Sequence, residues 1–222
     1  MKVGSLFVYR LAVFVFDILF RFTGGLKSVG DKNVPATGGV IIAPVHLSTY
    51  DPPALACTMR HRRLLAMAKV ELFKNKFFGW IITQIGAFPI RRGESDREAI
   101  RFAVKVLEAG ETLLVFPEGT RGDGEHMGAI NSGPAVLAQK SGAWVVPVGI
   151  VGTHIAFSKD PTKKRRHGVV VAYGKPFKYA DLATGANERE NRALFLAHLE
   201  SEIIRLCNEN GLPIKTAKSI ED

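Results

Sequence analysis

The sequence predicts an α/β protein: a mixed, mostly parallel sheet flanked by helices, preceded by an N-terminal membrane-associating helical segment. Three observations carry this. Short apolar runs alternate with amphipathic stretches from about residue 40 onward. Glycine and proline mark the ends of most of those runs. Before them, residues 5–20 are strongly apolar yet hold Arg10 and Asp17. The implied organisation is an interfacial helix over 1–24 and a single domain over 25–222.

In residues 5–20 the clean apolar run falls well short of the roughly 20 residues that cross a bilayer. Arg10, Asp17 and Arg21 share one helical stripe and leave a wide apolar face. That pattern suits a helix lying in a membrane interface or seated in a groove. The competing reading is a helix packed on the protein's own core. A signal peptide is disfavoured, because Asp17 interrupts the run and no small-residue cleavage site follows.

Beyond it, residues 40–45 form an apolar run with strand character, and 52–59 begin a helix at a proline pair. Residues 63–68 predict a strand, 70–85 one aromatic-rich helix, and 87–90 a short strand. An amphipathic helix over 96–108 stops at Gly110, followed by a strand at 112–116. A helix over 134–140 stops at Gly142, and strands follow at 144–151 and 169–172. A long amphipathic helix over 188–208 ends near Gly211; 159–167 is a basic loop and 184–187 a turn.

Composition narrows the function classes. The 222 residues are 46% hydrophobic, with a formal charge of +9. A basic balance favours nucleic acid, anionic membrane or phosphorylated substrates. No ribonucleoprotein signature or zinc spacing accompanies the charge, which argues against nucleic acid. Cys57 and Cys207 stand far apart in no metal pattern and fit a reducing compartment.

Three strand ends carry chemistry-bearing residues. After 40–45 comes His46-Leu47-Ser48-Thr49-Tyr50-Asp51. A neutral histidine held by a carboxylate can take a proton from an alcohol near neutral pH. The bland account of Asp51 is an N-cap ahead of Pro52. After 112–116 comes Pro117-Glu118-Gly119-Thr120-Arg121. There glycine permits close backbone approach and N–H contact with an oxyanion, Glu118 can accept from hydroxyls, and Arg121 offers a planar fork to phosphate. A polar turn with Glu118 paired to Arg121 is the alternative. The third end, Gly86 to Gly93, carries Arg91 and Arg92, which suit a dianion or simply solvent. Ser48 lies in no Gly-x-Ser-x-Gly elbow. In 70–85, Phe73, Phe77, Phe78 and Trp80 beside Lys69, Lys74 and Lys76 suit an interface with anionic lipid, or core cover for the sheet.

In order and spacing, His46-x4-Asp51, Gly86 to Arg92, Phe116 to Arg121 and Val145-Val146-Pro147-Val148 resemble the four blocks of the glycerolipid acyltransferases. The likeness is nearest to the bacterial 1-acylglycerol-3-phosphate acyltransferases and runs from about Leu26 to Phe177. It implies His46 as general base and Asp51 as the group that fixes its tautomer. Arg92 aligns with a phosphate-binding arginine. Arg91 replaces an aspartate common in relatives, so either arginine can be that ligand. Glu118, Gly119, Thr120 and Arg121 align with the acceptor-binding third block, Lys69 with a basic position some relatives use for phosphate, and Pro147 with a strand near the acyl channel.

The implied reaction moves a fatty acyl group from acyl-CoA or acyl carrier protein to the 2-hydroxyl of lysophosphatidic acid, with no cofactor and no metal. The implied setting is peripheral or monotopic, on anionic lipid at the cytoplasmic face of the cell membrane. Two alternatives stand beside it. One is acylation or transacylation of another lysolipid; the other is a non-catalytic basic protein that binds membrane or nucleic acid.

Overall fold

The computed structural model describes residues 4–90, 96–158 and 167–216. Helix α1 (Leu6–Phe22) leads into β1 (Leu26–Val29), β2 (Val40–Pro44) and α2 (Asp51–Thr58). Then come β3 (Leu64–Lys69), α3 (Lys76–Gln84), β4 (Ala87–Ile90), α4 (Asp96–Glu108) and β5 (Thr112–Leu114). The chain continues through α5 (Gly133–Ser141), β6 (Trp144–Val151), α6 (Thr153–Ala156), β7 (Val169–Tyr173), α7 (Tyr179–Leu182) and α8 (Glu188–Glu209).

The seven strands form one sheet in the order β1-β7-β6-β2-β5-β3-β4. Every neighbouring pair is parallel except β6 with β7. The sheet is therefore mixed and mostly parallel, as expected. All of β2, and β6 from Val145 onward, is buried. Their near-continuous apolar sequences, rich in Val and Ile, are what a strand covered on both faces requires.

Handedness explains which face each helix takes. The chain steps from β2 to β3 to β4 in one direction across the sheet, then returns from β4 to β5 to β6. Parallel crossovers are right-handed, so a reversal of direction moves the connecting helices to the opposite face. Accordingly α2 packs with α1, while α4, α5 and α8 pack together. The reversal puts β2 and β5 side by side with their outgoing connections on opposite faces. That is a topological switch point, where α/β sheets open a crevice at the strand carboxyl ends.

Four local features depart from expectation. Strand β1 has no counterpart in the sequence reading, because its four residues are an alternately exposed edge strand too short for a periodic signal. Residues 70–85 are not one helix: Val70–Phe73 is a 3-10 turn folded back on α3. Gly79 permits this, since a Cβ there would lie 3.0 Å from the Phe73 Cα. Strand β5 ends at Leu114, although the Val115 N–H still reaches the Ile42 carbonyl at 3.0 Å. The helices α6 and α7, four residues each, are too short for periodicity to announce.

Helix α1 is anchored on one side and bare on the other. Phe20 is fully buried, edge-on to Phe157 with ring centroids 5.3 Å apart. The Tyr9 hydroxyl accepts from the Leu64 N–H at 3.2 Å. Asp17 accepts from Arg21 at 3.1 Å and from Arg60, just beyond α2, at 3.0 Å. On the outer face Phe7, Phe14 and Phe22 are 75%, 60% and 74% exposed. Among the described residues no helix is long and apolar enough to cross a membrane.

Candidate active site

The carboxyl ends of β2 and β5 present the first two sequence features next to each other. His46 lies two residues beyond the end of β2, after Val45. Its Nδ1 lies 2.9 Å from Asp51 Oδ2, and its side chain is 18% exposed. Asp51 is fully buried. Oδ2 also accepts the backbone N–H groups of Leu47 and Ser48, both at 2.8 Å. Oδ1 accepts the Thr153 hydroxyl at 2.6 Å.

Asp51 is not the N-cap that its place before Pro52 suggests; Tyr50 occupies that position and Asp51 opens the helix. The reason is local. An N-cap side chain serves the N–H groups two and three positions on; Pro53 has none, and the Ala54 N–H donates to the Tyr50 carbonyl at 3.0 Å. The carboxylate instead turns back over the loop that leaves β2. Nδ1 being committed to Asp51, the neutral imidazole presents Nε2 as its proton acceptor. The ring lies against Phe116, with centroids 3.7 Å apart and planes at 23°.

Glu118 holds the same loop from the other side. Oε1 accepts the His46 backbone N–H at 3.0 Å, and Oε2 accepts the Gly128 N–H at 2.8 Å. Burial pushes its carboxyl above the usual range, and those two N–H groups partly offset the push. The anticipated pairing with Arg121 does not occur; Arg121 and Thr120 are exposed. Gly119 turns at φ +68°, and its N–H donates to the Phe116 carbonyl at 3.1 Å. That N–H closes the turn and is thereby engaged, so it is not an open oxyanion donor.

An open cleft of about 350 Å³ is bordered by Glu118, Thr120, Arg121 and His126. His126 faces Asp123 at 3.6 Å, consistent with a structural histidine. Ser48 Oγ accepts from the Tyr50 N–H at 3.2 Å, closing a turn. The buried thiols of Cys57 and Cys207 are each pushed up to about 12 by desolvation and are poor nucleophiles.

The third strand end is farther off. Three strand spacings, about 14 Å, separate β2 from β4 in the sheet order. Arg91 and Arg92 lie outside the described residues, and so does the Lys69 side chain. The backbone sets Lys69 at the end of β3, in register with Ile90 of β4. Pro147 sits in β6 opposite Ala43 of β2. Thr153 and Gly128 join the site without a place in the sequence motifs, and Phe116, which opens the third block, contributes its ring. The signal for Thr153 was available, since it follows Gly152 directly at the end of the apolar run of β6.

Comparison with known proteins adds to this geometry. Residues 25–151 match the family model described as Acyltransferase. A 1-acyl-sn-glycerol-3-phosphate acyltransferase of Bacillus subtilis is 30% identical over 176 residues, covering 79% of this chain and 85% of the relative. A protein of the same name from Streptococcus pneumoniae is 34% identical over 114 residues, 51% of this chain and 41% of its own. A lyso-ornithine lipid O-acyltransferase of Pseudomonas aeruginosa is 32% identical over 106 residues, 47% of this chain and 40% of its own. Among solved structures, the 1-acyl-sn-glycerophosphate (LPA) acyltransferase PlsC of Thermotoga maritima superposes with a TM-score of 0.71 at 24% identity, over 91% of this chain and 80% of that one. That last likeness bears on the fold.

Proposed function

The chain belongs to the acyltransferase family, and from that premise we propose that it is a 1-acylglycerol-3-phosphate O-acyltransferase with His46 as its general base. The carrying observation is His46 Nδ1 held by the fully buried Asp51 at the switch point between β2 and β5. The acceptor is lysophosphatidic acid, acylated on its 2-hydroxyl to phosphatidic acid. The donor is the thioester of acyl-CoA or acyl carrier protein.

Nε2 of His46 removes the hydroxyl proton as the oxygen attacks the thioester carbonyl. The imidazolium is stabilised by Asp51. Collapse of the tetrahedral intermediate breaks the C–S bond, and the departing thiolate recovers the proton from His46. The donor is already activated, so positioning and one base suffice, with no covalent enzyme intermediate and no cofactor. Arg121, with Lys69 and Arg91 or Arg92, binds the acceptor phosphate. Thr120 and Gly119 line its approach. Glu118 acts by fixing the backbone of His46.

The apolar outer face of α1 rests in the cytoplasmic leaflet, where acceptor and product reside. Lys74 and Lys76 beside the exposed Phe77 and Trp80 meet anionic headgroups.

A panel of acceptors and donors in mixed micelles, scored by product mass, tests the reading. His46→Ala should lower kcat with lysophosphatidic acid by about 10³-fold while leaving the acceptor KM within about twofold. Full turnover by that variant would end the general-base assignment. The likeness to a lyso-ornithine lipid acyltransferase supports a second acceptor class, one without phosphate. Arg121→Ala separates the two, because it should raise KM for the phosphate-headed acceptor alone.

A further inference from the structure

We propose that Thr153 is a positioning residue for the reaction, setting the orientation of the Asp51 carboxylate through its hydroxyl. The proposal rests on the reading of His46 and Asp51 given above and adds a third member to that pair.

Asp51 is fully buried, so each of its oxygens needs a partner. Oδ2 has three: the His46 ring and the N–H groups of Leu47 and Ser48. Oδ1 has the Thr153 hydroxyl at 2.6 Å, a contact that spans 102 residues of sequence. A carboxylate offers no proton here, so Thr153 is the donor, and the short distance marks a charge-assisted bond. The three contacts to Oδ2 lie on one side of the carboxylate. The bond to Oδ1 resists rotation about the Cβ–Cγ axis, which would carry Oδ2 away from Nδ1.

Thr153 is itself held firmly. It is fully buried and opens α6 just after Gly152, whose φ of +93° turns the chain out of β6. A Cβ at Gly152 would come within 2.5 Å of the Gly168 carbonyl oxygen, so glycine is required for this approach. One turn later Phe157 stacks on Tyr50, centroids 3.8 Å apart and planes at 11°, immediately ahead of Asp51. The short segment Thr153–Phe157 thus grips the loop both at the carboxylate and at its neighbour. Phe157 is in turn backed by Phe20 of α1.

Thr153→Val keeps the shape and removes the donor. It should lower kcat by about 10- to 100-fold, with KM for acceptor and donor within about twofold. Thr153→Ser, which keeps the hydroxyl, should restore most of the rate. Without its donor, Oδ1 leaves more negative charge facing His46, so the acid limb of the kcat profile should move to higher pH. Among the described residues, the ionisable Glu118 and Cys207 also interact with Asp51 and are unchanged in these variants. If the valine protein does not fold, Thr153→Ala compared with Thr153→Ser supplies the same contrast.

A valine variant with unchanged kcat and an unmoved acid limb would overturn the proposal. So would a serine variant as slow as the valine one, since packing of the methyl group would then be the whole effect. His46→Ala and Asp51→Ala, assayed in parallel, keep the two claims apart. Activity retained in those variants defeats the underlying base assignment. Activity lost in them while Thr153→Val is normal defeats the Thr153 proposal alone.

Discussion

The His46 loop and helix α1 invert the usual partition of a folded chain in opposite senses. Around the loop, Asp51 at the start of α2 is fully buried and Glu118 beyond β5 nearly so, and each is surrounded by N–H or O–H donors. On α1, large aromatic side chains point outward. A buried carboxylate costs stability unless its bonds are complete, and an exposed apolar face costs solubility unless something covers it. Each departure is tolerated where a reaction or a surface uses it. Under the proposed function, the loop serves internal rigidity and the helix an external partner.

The sharpest way to break that contrast is at Asp51. Asp51→Asn keeps the volume but offers one oxygen where two are needed, so kcat should fall by about 10²- to 10³-fold in initial-rate assays. Next comes a comparison within α1. Phe20→Ala should destabilise the protein by about 3–5 kcal/mol in denaturant titration, because Phe20 is a core residue. Replacing Phe7, Phe14 and Phe22 together by serine should leave the unfolding midpoint nearly unchanged and reduce sedimentation with anionic vesicles at least tenfold. Equal vesicle binding by the triple variant would remove the external role of α1.

Glu118→Ala leaves the N–H groups of His46 and Gly128 without their acceptor, at a cost of about 2–4 kcal/mol in chemical unfolding. The smallest effect is its pH dependence. Burial raises the folded carboxyl above its ordinary value of 4.5. Relative to the unfolded chain, the folded state therefore favours the protonated form. That contribution is full below pH 4.5 and is lost as pH rises through the raised folded value. The stability difference between wild type and Glu118→Ala should shrink across that interval, measured by denaturant midpoints at fixed ionic strength.

The sheet was legible because its central strands are unbroken apolar runs closed by glycine or proline. The chemistry at two of its ends was legible for the same reason: His46 follows one run directly, and Glu118 follows the other after Pro117. Their partners were hidden. Thr153 stands out locally as a hydroxyl just past Gly152 at a strand end, but no local pattern encodes its pairing with Asp51 across 102 positions. The sequence pattern alone suggests that Glu118 and Gly119 face substrate, whereas the fold engages them with backbone first. The edge strand β1 escaped because half of it faces solvent.

The ring stack from Phe20 through Phe157 to Tyr50 has a practical consequence for anyone trimming the chain. Cutting after residue 24 to gain a tractable preparation removes more than an exposed apolar face. It also takes away the Phe20 side chain that backs α6 and the Tyr9 hydroxyl that meets β3. A shortened protein that stays in solution but turns over slowly would thus report a loosened catalytic loop as much as a lost bilayer. Surface serines on the intact helix are the cleaner route to a water-soluble enzyme.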